Sequence, residues 1–437
     1  MKLKQGCSIY SDYGLNISAE EYSDEGVPII RTSDVDNSGA LDLSNTKYVE
    51  PHVVGTKRLR KGDVLFSRSG TIGRAMVFGD DVEATYAAYL VRFRPHPKRL
   101  LSKFIGYWAQ SAGYWHQIGA DTIQSTIGNF NANKFANLSI PEHDLATQRQ
   151  IADFLDRETA RIDLLIEKKQ RLVALLGEQR AAAISSAVTV GLDDDAELVT
   201  TSSQYLPQVP VTWRVWRLKH LAEIRGGLTL GRKIPDDAET TLTPYMRVAN
   251  VQAGWLDLSD IGEIPVTEVE KKRYRLKHGD VLMNEGGDND KLGRGAVWKS
   301  EIDTCVHQNH VFAVRPYDTR YSDWISLATN ARYARDFFYL HSNQSTNLAS
   351  ISKTNLSRFP VAIPPIDQMT ATLNALWDRV GKLDRISEKT NASIDRLKEY
   401  RSALITAAVT GQIDVSSYAK SGTPDRRLDA IHEGMGA

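Results

Sequence analysis

Two glycine-rich stretches carry the residues best suited to chemistry in this sequence. The first, Phe66 to Arg74, holds Arg68, Ser69, Thr71 and Arg74; the second, Met283 to Arg294, holds Asn284, Asn289, Lys291 and Arg294. Arginine, lysine and asparagine carry the donor patterns that read base edges, and glycine lets a backbone come close to a surface. A second pair of polar stretches offers Gln124, Ser125, Asn129, Asn131 and Lys134, matched by Gln344, Ser345 and Lys353. Basic clusters stand just upstream of two Gly-Asp dipeptides. Lys57, Arg58, Arg60 and Lys61 precede Gly62-Asp63, and Arg273, Arg275 and Lys277 precede Gly279-Asp280. Arg92, Arg94, Lys98 and Arg99 add a third basic group. All of these could meet phosphate or base. Turn chemistry explains Gly, Asn and Ser in any loop, and a charge run is often only a solvated face.

Catalytic constellations are missing. There is no Gly-x-x-x-x-Gly-Lys-Ser/Thr phosphate loop, no Gly-x-Ser-x-Gly elbow, no His-x-x-x-His pair and no Cys-x-x-Cys. A glycine-rich AdoMet loop and an Asn/Asp-Pro-Pro-aromatic motif are absent too. A loose nuclease-like scatter, Pro235-Asp236 with Glu270-Lys-Lys272, has no counterpart in the first half of the chain. The expectation is a binding protein with no catalytic, cofactor or metal residues of its own.

Composition sets the frame. The chain has 437 residues, enough for two to four domains of roughly 100–200 residues. It is 41% hydrophobic, 25% charged and 8% aromatic, which excludes wholesale disorder and collagen-like repeats. Lys plus Arg and Asp plus Glu each number 54, which excludes a histone-like polycation but says nothing of where charges cluster. Two cysteines, Cys7 and Cys305, are too few for a disulfide framework. No apolar stretch approaches the roughly 18 residues of a membrane span, and the start reads as neither signal nor anchor. The expected compartment is the cytoplasm.

The chain is written twice. Val27 to Val35 matches Thr243 to Val251; Gly39 to Ser44 matches Gly254 to Ser259; Gly62-Asp-Val-Leu65 matches Gly279-Asp-Val-Leu282. Gln124-Ser-Thr126 recurs as Gln344-Ser-Thr346, Glu178 to Ile184 as Glu399 to Ile405, and Ala187-Val-Thr189 as Ala408-Val-Thr410. Order is kept throughout, and the offset drifts only from 215 (Gly39 to Gly254) to 221 (Glu178 to Glu399). A repeat of this kind must be found before anything else is read. Each half is a mixed region with short strands, and helices near 101–118 and 321–340, followed by one long helix.

Those long helices must position the loops. Leu145 to Thr189 and Ile366 to Thr410 contain no proline and one glycine each, Gly177 and Gly381. Both carry a heptad-like seam. It runs Ala152, Leu155, Thr159, Ile162, Ile166, Lys169, Val173, Leu176, Arg180, Ala183, Ala187 in the first. In the second it runs Leu373, Leu376, Val380, Leu383, Ser387, Thr390, Ile394, Leu397, Arg401, Leu404, Ala408. A helix of about 45 residues is roughly 65 Å long, more than a small domain can cover, so the two helices are expected to pair. The expected class is α+β: two similar mixed α/β globular domains separated by two long antiparallel coiled-coil helices, a pseudo-twofold internal repeat. Its segments are a first domain at 1–144, a helix at 145–190, a polar linker at 191–208, a second domain at 209–365, a helix at 366–411 and a loose polar tail at 412–437. Two similar surfaces at a set separation suit a duplex with two half-sites. A coiled-coil scaffold binding only proteins would also explain the repeat and the helices, but less well the basic clusters beside Gly/Asn/Gln loops.

With these residues in view the chain resembles the specificity (S) subunit of Type I restriction–modification systems over nearly its full length. The likeness rests on the doubled Gly-Asp-Val-Leu island and the Ile-Pro before each long helix (Ile140-Pro141, Ile363-Pro364). It rests also on the helix end Ala408 to Asp414 and on Leu206 to Trp213 with Trp216-Arg-Leu-Lys219. Met1 aligns near Trp216, so the first domain is expected to start shorter or the gene start to be set late. The resemblance implies a non-catalytic subunit whose two target recognition domains each read half of a split double-stranded DNA site. It implies long helices that act as spacer and dock two modification (methyltransferase) subunits carrying AdoMet. A restriction (motor–nuclease) subunit using ATP and Mg2+ would complete the complex.

Overall fold

The computed structural model describes residues 1–36, 39, 41–79, 83–122, 130–193, 195–287, 291–344 and 349–415. The chain forms two compact units, one of residues 1–170 with 391–437, the other of 171–390. Each unit therefore holds one mixed region and a part of both long helices.

In the first unit a four-stranded antiparallel sheet runs Cys7–Tyr13, Leu90–Pro95, Val64–Ser67, Ala75–Val77. A second sheet runs Lys47–Val49, Val27–Ile30, Thr85–Tyr86, with the last pair parallel. Helices Ser102–Trp108, Ala112–Thr122 and Ala132–Ala136 accompany them. Phe66, Phe93, Phe104, Trp108, Tyr114 and Phe135 are buried in one cluster with Ile151, Phe154 and Leu155 of the first long helix and Leu404, Ile405 and Ala408 of the second. In this unit Arg401 Nε donates to Asp163 at 2.9 Å and His143 Nε2 lies 2.9 Å from the Val409 carbonyl. The helices thus run antiparallel there.

The second unit repeats the plan from its own residues. Its sheets run Ala222–Arg225, Val311–Pro316, Val281–Asn284, Gly295–Val297 and Gly262–Val266, Thr241–Met246, Val306–His307, with the same senses of pairing. Helices Ser322–Asn330 and Arg332–His341 fall where the periodicity put them. Trp324, Phe337, Phe359 and Met283 share a core with Ala183, Ala187, Leu376 and Val380 of the long helices, and Arg180 Nε donates to Asp384 at 3.1 Å. The stretch expected to be a plain polar linker begins a small hairpin, Leu198–Thr200 with Gln208–Pro210, whose second strand runs past the expected boundary at 208. Its strand residues Val199 and Val209 supply the β-branched character that the acidic residues before them hide from a composition reading. Most of the tail, 416–437, lies outside the described residues.

The long helices span Leu145–Thr189 and Ile366–Val409. Every seam position on either helix is buried or half-buried, while Leu164, Leu175 and Trp377, off the seam, stay exposed. Burial of a stripe and not of apolar residues as such is what a helix–helix contact demands.

The repeated Gly-Asp is a structural device. Gly62 and Gly279 adopt φ of +89° and +86°, open without strain only to glycine. Their N–H groups donate to Phe78 (2.7 Å) and Trp298 (2.8 Å). The next residues, Asp63 and Asp280, are fully buried. Asp63 receives Arg94 through Nε and Nη2, both at 2.6 Å, and the Arg60 N–H at 2.9 Å. Asp280 receives Arg315 through the same two nitrogens, both at 2.7 Å, and the Lys277 N–H at 2.8 Å. Ser102 and Ser322 hydroxyls close the turn onto the glycine carbonyls at 2.6 and 2.7 Å. Removing one member of a buried pair strands the other, at about 3–5 kcal/mol. Asp280→Asn should therefore lower stability by that order in a urea titration of the intact chain, and Arg315→Met added to it should recover part of the loss. Equal stability of Asp280→Asn and the parent would show that this pair does not hold the turn.

Candidate nucleic-acid interface

The loops rich in donors spring from the strands that follow the Gly-Asp turns. Ser67 N–H donates to the Arg74 carbonyl (2.8 Å) and its carbonyl accepts from Gly73 (2.9 Å), closing the first loop at its root. Asn284 does the same with Arg294 (3.2 Å) and Gly293 (3.0 Å). Six residues separate Ser67 from Arg74 and nine separate Asn284 from Arg294. The roots match and the loops differ.

In the first loop the Arg68 guanidinium lies over the Tyr13 ring, 4.8 Å from its centroid. Tyr13 is held in turn by the Ala132 N–H, which donates to its hydroxyl at 3.1 Å. Asn131 caps the helix Ala132–Ala136 by accepting from Lys134 N–H at 3.0 Å, and the Lys134 ammonium sits 5.5 Å from the Phe130 ring. Arg68, Tyr13, Asn131 and Lys134 are thus brought to one neighbourhood from three separate segments. Ser69 is half-buried and Thr71 exposed; the Ser67 hydroxyl binds the Ser69 carbonyl at 3.0 Å. Arg74 Nη1 donates to the Val35 carbonyl, which ties it to the loop between the Val27–Ile30 and Lys47–Val49 strands of the second sheet.

In the second loop Lys291 is exposed, and Arg294 is half-buried with Nη1 3.4 Å from Gln252 Oε1. Asn284 is 1% exposed and spends its amide on the Val251 carbonyl at 3.1 Å. It belongs to the frame and cannot reach a ligand, because it closes a strand whose four residues all point into packed layers. Lys353 is exposed at the start of the short helix Lys353–Leu356. Gln344 lies in a short strand paired through Ala349 to Gly286–Gly287. Gln124, Ser125, Asn129, Asn289 and Ser345 lie outside the described residues.

The basic clusters are less uniform than their sequence suggests. Lys57 is paired with Asp12, which also receives Arg92 and, at 2.7 Å, the Tyr86 hydroxyl. Burial raises the Asp12 carboxyl, but the Lys57 bond, the Tyr86 bond and the Arg92 charge outweigh it and hold it below the usual carboxylate range. Arg58 pairs with Glu83. Arg92 is buried and Arg94 is engaged by Asp63, so that third basic group is in large part an internal ion-pair network. Arg60, Lys61, Arg273, Arg275 and Lys277 are exposed, with Arg273 5.3 Å from the Tyr274 ring and Arg275 donating to the Asp303 carbonyl at 3.0 Å.

Sequence reasoning passed over the aromatic and acidic members of the site. Tyr13 is 37% exposed, Tyr89 61% and Trp115 45%, all beside the first loop. Trp115, with Ile118 and Gly119, lines a shallow depression shared with Gly70, Thr71, Ile72 and Arg74. Glu285 directly follows Asn284 and lies 3.3 Å from His310 Nδ1. A search for basic donors alone could not find them. Among the described residues no cluster of three or more His, Cys, Asp or Glu side chains could hold a metal, and no helix is long and apolar enough to cross a membrane.

The family model for the Type I restriction modification DNA specificity domain matches this chain twice, at residues 2–174 and 210–397. The chain belongs to the Type I restriction–modification specificity subunits. It is similar to the EcoKI specificity subunit of Escherichia coli K12, at 21% identity over 418 residues covering 94% of this chain and 87% of that one. Likeness to the StySPI specificity subunit of Salmonella potsdam is also 21%, over 424 residues, covering 94% and 87%. Among solved structures the fold matches a chain from work on complex assembly and conformational transition of the type I R-M system. The TM-score there is 0.68, with 16% identity and 94% and 97% coverage. The crystal structure of the HsdS subunit from Thermoanaerobacter tengcongensis matches at TM-score 0.51, also with 16% identity, over 94% of this chain and 96% of that one. The chain is a DNA specificity subunit, itself non-catalytic, and part of a Type I restriction–modification complex. Membership decides against a coiled-coil scaffold without a DNA role.

One consequence separates frame from surface. Lys57→Met should cost about 1–3 kcal/mol of stability, since Asp12 loses a partner. It should leave the slope of log affinity against log salt unchanged in DNA binding by the complex. A slope reduced by about one would make Lys57 a phosphate contact instead.

Proposed function

We propose that the two recognition domains, residues 1–144 and 209–365, each read one half of a bipartite double-stranded DNA site. The long helices, 145–190 and 366–411, set the unread gap and dock two modification subunits. Restriction subunits join the same complex. AdoMet is carried by the modification subunits, ATP and Mg2+ by the restriction subunits, and the assembly works in the cytoplasm.

The observation that supports this best is a pair of frames with the same hydrogen-bonded roots and different loops. Ser67 and Asn284 hold equivalent main-chain bonds, yet the loops they launch differ in length and charge. Identical geometry with altered side chains suits two targets of one shape and different sequence. Arg68, Arg74, Lys134, Lys291, Arg294 and Lys353 are then the donors nearest the duplex, with Arg60, Lys61, Arg273, Arg275 and Lys277 toward phosphate. Phosphate contacts set position and base contacts set sequence.

The complex should shift a duplex carrying a split site, with affinity falling linearly in log salt; equal affinity for scrambled duplexes would defeat the reading. The spacer role has its own test. Four residues added to each helix, after Lys169 and after Thr390, lengthen a helix by about 6 Å. Mapping methylated positions in genomic DNA should then show a longer gap between unchanged half-sites. A changed half-site, or an unchanged gap, would remove the helices as a ruler.

A further inference from the structure

We propose that Arg68 and Glu285 occupy one and the same position in the two recognition frames, that each touches a base, and that their opposite charges make the two half-sites differ at that step. Arg68 takes a guanine through O6 and N7. Glu285 takes the exocyclic amino group of a cytosine. The inference rests on the bipartite reading above and assigns it residues.

The equivalence is set by main-chain bonds. Arg68 N–H donates to the Tyr89 carbonyl and Glu285 N–H to the His310 carbonyl, both at 2.9 Å. The Arg68 carbonyl accepts from Phe130 N–H at 3.1 Å, and the Glu285 carbonyl from Ile351 N–H at 2.8 Å. The residues just before them, Ser67 and Asn284, make the matching pairs of bonds to their own loops. A backbone pinned through both its polar groups, and through both groups of its predecessor, directs its Cβ in a fixed way. The two side chains therefore leave equivalent frames in equivalent directions. The doubled Gly-Asp-Val-Leu island, three residues upstream in both halves, gives the same pairing at an offset of 217.

Each side chain is steadied at one edge. The Arg68 guanidinium rests over Tyr13, itself fixed by the Ala132 N–H. Glu285 is 28% exposed at the side chain and lies 3.3 Å from His310 Nδ1, whose ring is 56% exposed. A contact this open contributes about 0–1 kcal/mol, so the fold has little need of it. Directly after Glu285 stand Gly286 and Gly287, the latter at φ +141°, so the two residues that follow it add no side chain. A surface that can come close and a part-exposed acceptor are the conditions for taking a base amino group. Among acceptors in the major groove a carboxylate pairs with cytosine N4, while Arg pairs in a fork with guanine O6 and N7.

The test uses the assembled complex and the split site found by methylation mapping. Glu285→Gln, close to isosteric, and Arg68→Gln are mapped separately. Each should relax discrimination at a single base pair by roughly 5–100-fold, and the two base pairs should lie in different half-sites. Retention of both half-sites within about twofold by Glu285→Gln would overturn the proposal, as would both variants acting on one half-site. A second arm needs no variant. Unmodified complex is titrated with duplexes carrying 7-deazaguanine or N4-methylcytosine at one position at a time. One guanine in one half-site and one cytosine in the other should lose binding; no loss at any position overturns the assignment even if a variant folds poorly. Failure of the unmodified complex to discriminate any split site would instead defeat the bipartite reading itself.

Discussion

Everything that faces outward in this protein depends on a carboxylate that never sees water. Asp63 and Asp280 are fully buried, and each is satisfied by a forked arginine from the neighbouring strand and by an N–H three residues upstream. An unpaired buried charge would be prohibitive, so the pair has one arrangement or none. That arrangement fixes the glycine turn, the turn fixes where the strand begins, and the strand is only four residues long. Arg68 and Glu285 stand immediately beyond its end. A main chain advancing about 3.3 Å per residue gives little room for error over such a distance.

The long helices solve a different problem. Their seam is mostly small and aliphatic, yet Lys169 and Thr390 are buried within it. An unbroken apolar seam gains stability but permits sliding, and polar positions restrict the registers in which it can close. Each unit packs its mixed region against parts of both helices, so neither helix is an appendage of one domain.

How much of this was legible follows from which signals repeat. The doubled frame and the seam were readable because spacing survives when side chains change. Helices beginning at Leu145 and Ile366 fall where breakers and periodicity placed them. The site was read less well. Lys57, Arg58, Arg92 and Arg94 look alike in sequence, but their partners Asp12, Glu83 and Asp63 come from 25 to 80 residues away, and pairing at that range leaves no local mark. Asn284 looked like a loop donor because it borders glycines; it is the last residue of a buried strand. Glu285 was overlooked beside it because a search for DNA contacts favours cations, although base edges offer donors as well as acceptors.

The roots of these loops are tied by N–H and carbonyl groups, and they demand a particular residue only at Gly73 and Gly293, which sit at φ +86° and +70°. Side-chain identity beyond the root is therefore almost neutral for folding. Such a frame can change its target by single substitutions without first becoming unstable, and two copies in one chain can diverge independently. Selection acting on sequence preference is thus decoupled from selection acting on survival of the fold. On the proposed bipartite reading, a lineage can rewrite half of its target word while the other half, and the machinery that depends on it, stays intact.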